Sequence, residues 1–187
     1  MNPAGAPGPI PVAALVLFLV AHGALRVSEL ILSSRHTRRL LARGAREHGH
    51  GHYPLLVVLH ALFPVALVVE VIVLGARPNA LAPLWLALWL GAQGMRYVSI
   101  RALGERWTTR VLVLPGAPLV RRGPYRWLRH PNYLAVVVEL LAAPLIFGAW
   151  RTALVFSLAN LPLLRVRIRC EEHAMAAAVV EPPPALC

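Results

Sequence analysis

The densest polar chemistry in the chain is the run Gly123-Pro124-Tyr125-Arg126-Trp127-Leu128-Arg129-His130-Pro131-Asn132-Tyr133. Aromatic rings, guanidinium groups and an imidazole stand together directly ahead of a long apolar stretch, a combination that suits a polar pocket. Pro131 fits the first turn of a helix, where its missing N–H would have no partner anyway. A helix starting there aims free backbone N–H groups at the same loop, and such groups favour a carboxylate or another anionic ligand group. The other reading of these residues is a belt of aromatics and arginines that anchors a helix end at a membrane interface. A second element follows later, Arg165-Val166-Arg167-Ile168-Arg169-Cys170-Glu171-Glu172. On a helix Arg167 and Glu171 are four residues apart and share a face. They form either a surface ion pair, worth about a few tenths of a kcal/mol, or two walls of a pocket. In a pocket the guanidinium would meet a developing oxyanion, and the carboxylate would meet a ligand's ammonium.

The elements that must position these groups are apolar. Of the 187 residues, 58% are hydrophobic, and the mean hydropathy is +0.62, which points to lipid rather than water as the solvent for most of the chain. Apolar stretches run over 10–25, 55–74, 81–100, 133–150 and 152–164. A helix crossing a bilayer needs about 20 such residues. The second, third and fourth stretches meet that alone. The first does so if it continues toward Leu32 past Arg26 and Glu29, and the fifth is short, a partner in a hairpin that turns near Gly148. The expected fold is therefore all-α, a polytopic helical membrane protein of about five transmembrane helices with a cytoplasmic binding loop and a C-terminal helix. It is one membrane domain over 1–187. Residues 1–103 supply the first three helices, 104–175 the cofactor-binding and catalytic part, and 176–187 a flexible tail. Pro115, Pro118 and Pro124 exclude a regular helix from 114–124. The mixed segment 165–180 is expected to form a helix at the interface or a cap on the bundle.

The net charge of +11 would suggest nucleic acid in a soluble protein, but its distribution argues against that partner. Every Lys/Arg position is arginine, and of the 19 only Arg77 and Arg151 fall on the alternate side of the inferred spans. Arg26 to Arg46 follow the first stretch, and Arg96 to Arg129 lie between the third and the fourth. Under the positive-inside rule, five spans put the N-terminus outside and the C-terminus and the site in the cytoplasm, in a bacterial inner membrane. Residues 1–9 carry no basic side chain, so the first stretch reads as a retained span and not as a cleaved signal peptide. Cys170 and Cys187 fall on the reducing side, which disfavours a disulfide, and a terminal Cys187 leaves no prenylation box.

Other polar residues have competing readings. Glu70 and Glu139 lie inside spans, where an ionisable group is a functional candidate by default. Glu139 either pairs with Arg96 or Gln93 or takes a hydroxyl proton from an acceptor. Arg26 and Glu29 suggest a local helix pair, and His22 and His60 suggest hydrogen-bonded packing residues. The run His48-Gly49-His50-Gly51-His52 lacks the rigidity of a preformed metal site, so no metal is expected. His52 and Tyr53 are placed near a substrate entrance.

The spacing Gly-Pro-Tyr-x4-His-Pro-Asn-Tyr, followed one helical hairpin later by Arg-Ile-x2-Glu-Glu, resembles the isoprenylcysteine carboxyl methyltransferase (ICMT) family of membrane methyltransferases over about 103–175. The earlier pattern from Glu47 through His52-Tyr53-Pro54 to His60 resembles a bacterial branch whose members methylate alkylpyrones or alkylresorcinols and can lie beside type III polyketide synthases. The resemblance implies that Leu119, Val120, Tyr125, His130, Pro131, Asn132 and Tyr133 line an S-adenosylmethionine pocket. It also implies that Glu171, with Glu172 beside it, holds the cofactor's amino end and that Arg167 faces the acceptor. One departure is that many members carry glycine two residues after the second tyrosine, where this chain has Leu134-Ala135.

The function expected from these features is S-adenosylmethionine-dependent transfer of a methyl group to an oxygen of a lipophilic acceptor, either the hydroxyl of a long-chain polyketide or a prenylcysteine-like carboxylate. Arg167 and Glu139 are the catalytic candidates. The partners are membrane lipids and a lipophilic small molecule, with a functional link to a type III polyketide synthase. The alternatives are an NADPH-dependent membrane sterol or lipid reductase and a non-enzymatic scaffold or transporter. Against the reductase, only Arg126 and Arg129 near His130 are available for a 2′-phosphate. Against the transporter, no repeat symmetry is evident.

Overall fold

The computed structural model describes residues 12–180. The readings made for residues 1–9 and for 181–187 fall outside these residues, whereas 176–180, assigned to a flexible tail from sequence, continue the last helix. Five helices account for most of the chain: α1 (Val12–Ala42), α2 (Tyr53–Val68), α3 (Ala82–Leu103), α4 (Pro131–Ile146) and α5 (Trp150–Val180). The fold is all-α, and each expected apolar stretch lies within or largely overlaps one helix. Pro54, Pro83 and Pro131 stand in the first turns of α2, α3 and α4, where proline's fixed φ favours the helix and its missing donor costs nothing. By length and composition, α1 and the helix Tyr53–Val73 are each able to cross a membrane. At 31 residues, α1 is about 46 Å long, well beyond a hydrocarbon core of about 30 Å.

Two expectations need correction. The segment 165–180 is helical as expected, but it is the continuation of α5, which runs unbroken through Pro162 to Val180. Loss of hydropathy ends an apolar span but not the backbone hydrogen bonding, and the residues past Leu164 are good helix formers. The second correction is a pair of short strands, β1 (Arg46–His48) and β2 (Val111–Val113). They pair antiparallel with Arg46 opposite Val113 and His48 opposite Val111.

Small residues let the helices approach closely, as packing within lipid requires. The closest neighbours are α3 and α4, and Ala135, Ala142 and Ala143 of α4 are fully buried. Ala135, where the resemblance implied a glycine, is thus packed in the interior of the bundle. Leu59, Phe63, Trp89 and Leu140 form the main apolar cluster, while Leu17, Val20, Leu62 and Val73 point outward.

Glu70 is explained by the fold. It lies in a widened helical turn, Val69–Val73, that continues α2 and is fully buried. Its carboxylate accepts the backbone N–H of Arg151 at 3.0 Å and of Thr152 at 2.6 Å. It therefore satisfies two of the free donors at the start of α5. The α4–α5 hairpin turns at Gly148, as expected, with φ +72°. A Cβ there would collide with the Arg77 carbonyl. Gly148→Ala is expected to cost about 1–3 kcal/mol in backbone strain alone, seen as a lowered thermal unfolding midpoint in detergent. An unchanged midpoint would show that this turn is soft.

Candidate functional site

The site lies where the end of α3, strand β2, the start of α4 and the middle of α5 converge. After α3 the chain turns at Gly104, with φ +57°, and residues 107–113 pass across α5. The following proline-containing loop is strapped in place by three hydrogen bonds. Arg106 donates to the Pro118 carbonyl at 2.5 Å, Arg122 to the Ala102 carbonyl at 2.7 Å, and the Gly116 N–H to the Ala178 carbonyl at 3.3 Å. Gly123, also at φ +57°, lies where a Cβ would stand 3.1 Å from that of Ala102. The segment carrying His130 is thereby held against α3.

These elements enclose a cavity of about 80 Å³ whose wall includes Tyr125, His130, Asn132, Tyr133, Arg167 and Glu171. A more open groove of about 420 Å³ adjoins it across Leu103 and Arg106 and is lined by Leu119 and Val120. The structure thus brings together residues from both sequence motifs. Pro131 is buried in the first turn of α4. Glu172 stands at the rim, 3.2 Å from His130 Nε2 and 3.9 Å from Arg129.

Arg167 and Glu171 do not form a direct ion pair. The Tyr133 hydroxyl stands between them, donating to Glu171 and accepting from Arg167 Nε at 2.9 Å. Arg167 Nη2 donates to the Thr109 carbonyl at 2.7 Å, and its guanidinium lies 5.4 Å from the centre of the Tyr133 ring. With only 8% of its surface exposed, Arg167 is a buried, oriented cation. That excludes the surface-pair reading. The His130 ring stacks on Tyr133 with centroids 5.2 Å apart.

The first half of the chain supports this arrangement indirectly. Ser33 of α1 bonds the Thr109 hydroxyl at 2.9 Å and accepts its N–H at 2.8 Å, and Tyr53 of α2 reaches the same hydroxyl at 3.2 Å. His36 Nδ1 donates to the Trp107 carbonyl at 2.8 Å. α1 and α2 therefore fix the backbone carbonyl that holds Arg167. Sequence reasoning missed Trp107 and Thr109, because a backbone carbonyl leaves no side-chain signature.

Burial raises the Tyr125 hydroxyl above its ordinary range, and the Glu171 carboxylate raises it further. Tyr125 therefore stays a hydrogen-bond donor at physiological pH. Burial and then the Arg167 charge lower His52, which keeps that imidazole neutral. Two buried polar atoms at the cavity lack partners, the Asn132 Oδ1 acceptor and the Trp107 Nε1 donor.

Glu139 does not reach the cavity. It accepts from Arg96, lies 3.4 Å from Arg26 and 3.5 Å from His22, and is buried about two turns along α4 from His130. Of the two readings given to Glu139 from sequence, the geometry shows the pairing with Arg96, and Glu139 is not among the residues that line the cavity. Arg26 and Arg96, counted in the sequence as charges of the basic side, belong to this buried cluster. Arg26 bonds Glu29 as expected, but also Gln93.

Residues 85–177 match the isoprenylcysteine carboxyl methyltransferase family, which extends the similarity into α3. The uncharacterized protein YpbQ of Bacillus subtilis (strain 168) is 39% identical over 153 residues, covering 80% of this chain and 89% of that protein. An uncharacterized protein of Haemophilus influenzae is 34% identical over 154 residues, covering 82% of this chain and 90% of its own length. No solved structure matches the chain.

Proposed function

The chain belongs to the isoprenylcysteine carboxyl methyltransferase family of membrane methyltransferases, and we propose on that premise that it transfers a methyl group from S-adenosylmethionine to an oxygen of a lipophilic acceptor. The observation that carries the reading is the Arg167–Tyr133–Glu171 chain of hydrogen bonds in the cavity wall.

The residues present fit the cofactor. An amino-acid end brings both an ammonium and a carboxylate. The cavity offers the Glu171 carboxylate, the unpartnered Asn132 oxygen and the unpartnered Trp107 N–H. Tyr125, His130 and Tyr133 supply aromatic faces for cationic and heterocyclic parts. Leu119 and Val120 give the adjoining groove an apolar lining for a nucleoside. When bound, the cofactor supplies an electrophilic methyl group. The protein's contribution is then positioning and charge. Arg167, fixed by Thr109 and Tyr133, is oriented to bind an acceptor oxygen as it carries negative charge.

In this proposal all five helices cross the membrane. Arg39 and Arg43 at the end of α1 pair with Glu105 after α3, and Arg167 reaches Thr109. Much of the arginine-rich sequence thus gathers at the end of the bundle that holds the cavity, supporting a cytoplasmic site with the N-terminus outside. A lipid-borne acceptor accounts for the embedding of the enzyme. The pattern from Glu47 through His52-Tyr53-Pro54 to His60 favours the hydroxyl of a long-chain polyketide, made by a type III polyketide synthase, over a prenylated cysteine carboxylate.

Calorimetry on the detergent-purified protein tests the reading. S-adenosylhomocysteine is expected to bind and NADPH to give no heat. Binding of NADPH without S-adenosylhomocysteine would replace the methyltransferase by a reductase.

A further inference from the structure

The run 121–133 has two sides, and only one of them faces the cavity. Tyr125, His130, Asn132 and Tyr133 stand in the cavity wall, whereas Arg121, Arg126, Trp127 and Arg129 are exposed. Trp127 keeps 80% of its surface open, more than any other large apolar side chain among the described residues. The Arg126 guanidinium lies 5.6 Å from the centre of its ring. An indole left in water forgoes the burial that its size offers, so this side of the segment calls for a partner.

Its charge is also unmatched. Elsewhere at this end of the bundle, Arg39 and Arg43 pair with Glu105, and Arg110 pairs with Glu47. No carboxylate among the described residues pairs with Arg101, Arg121 or Arg126, and Arg129, its side chain 89% exposed, reaches Glu172 only at 3.9 Å. The surface is thus cationic and aromatic, and a guanidinium fork matches the paired oxygens of a phosphodiester.

With α3 across the membrane, as proposed above, that helix sets the depth of the surface. Leu86, Leu90, Tyr97 and Arg101 share its outward face. The passage from leucine through tyrosine to arginine marks where hydrocarbon gives way to headgroups. Arg101 lies 5.7 Å from the centre of the Tyr97 ring, a second pair of arginine and aromatic. The turn Gly123–Arg126 seats on α3 at this level, since a Cβ on Gly123 would stand 3.1 Å from Ala102 and 3.9 Å from Val98. The chain therefore carries Trp127 and its arginines at headgroup depth.

We propose that the outer side of residues 121–129, together with Tyr97 and Arg101, is a binding surface for the anionic phospholipid headgroups of the adjoining leaflet. The interfacial belt and the polar pocket are then two sides of one segment. The proposal rests on α3 crossing the membrane and on no cofactor.

Native mass spectrometry of the full chain in detergent, titrated with phosphatidylglycerol or with phosphatidylcholine, reads the affinity for each lipid. Phosphatidylglycerol is expected to bind about tenfold tighter, and inorganic phosphate at millimolar concentration not to displace it. Arg126→Gln/Arg129→Gln should weaken phosphatidylglycerol about tenfold or more, at about fivefold per arginine, and leave phosphatidylcholine within about twofold. Trp127→Ala keeps the charge and should weaken both lipids about tenfold. Arg35→Gln/Arg38→Gln removes the same charge from exposed positions of α1 and should move neither lipid by more than about twofold. Equal affinity for the two lipids, a preference that the Arg126/Arg129 change leaves intact, or an equal loss from the Arg35/Arg38 change would overturn the proposal. Displacement by inorganic phosphate would also overturn it, by making the surface a site for free anions. Since no cofactor enters the measurement, failure to bind S-adenosylhomocysteine would refute the methyltransferase and leave this surface standing.

Discussion

Glu171→Ala should remove measurable S-adenosylhomocysteine binding, a weakening of about a hundredfold, while Arg167→Ala should bind it within about threefold and lose turnover by about a hundred- to a thousandfold. The asymmetry follows from the geometry. Glu171 presents a carboxylate to the cavity beside the unpartnered Asn132 and Trp107 groups, where a ligand's ammonium gains a charge-assisted hydrogen bond. Arg167 spends Nε on the Tyr133 hydroxyl and Nη2 on the Thr109 carbonyl, which leaves Nη1 for an acceptor oxygen. Its loss removes an interaction that strengthens only as charge develops, so kcat falls and ground-state cofactor binding does not. Arg167→Lys separates positioning from folding, because an ammonium keeps the charge but cannot hold both anchors. It should be intermediate in turnover and near the parent in thermal stability. Calorimetry and single-turnover kinetics on the three variants decide the matter. Equal, mild effects of the two alanine substitutions would mean that the pair only stabilises the helix.

The sequence made the helices legible because apolar length is a local property, and the cavity legible because two compact motifs carried its side chains. Tyr125, His130, Asn132 and Tyr133 lie in one motif, Arg167 and Glu171 in the other, and all six meet at one cavity. What stayed hidden depended on three-dimensional partners. Arg26 and Arg96 sit at the edges of apolar stretches, where a loop charge and a buried charge look alike until the facing helix is known. Strands of three residues have no independent stability, and β1 and β2 exist because they dock on α5. Tyr133 could be read as a pocket residue, but its place between Arg167 and Glu171 could not, since a helix face gives the i and i+4 relation and not what inserts between the two. The anchoring of Arg167 by Thr109 involves a carbonyl, and α1 and α2 contribute by holding that carbonyl still.

Glu139→Leu should lower stability by about 3–5 kcal/mol, because it leaves Arg96 and Arg26 buried with their main counter-charge gone. Arg96 would keep only Glu29, at 3.5 Å, which Arg26 also engages at 2.8 Å. Two guanidinium groups would then share one carboxylate in an apolar surrounding. The double change Glu139→Leu/Arg96→Leu should regain most of the loss, since it deletes one charge of each sign and leaves Arg26 with Glu29 as a neutral pair one helical turn apart. Thermal and denaturant unfolding in detergent read both effects, and the recovery distinguishes an ion cluster from a catalytic group. A proton acceptor would behave in the opposite way. Glu139→Leu would then unfold at the parent's midpoint and show no turnover, and adding Arg96→Leu would restore nothing. The structure favours the first outcome because Glu139 is paired with Arg96 and lies 3.4 Å from Arg26, away from the residues that line the cavity.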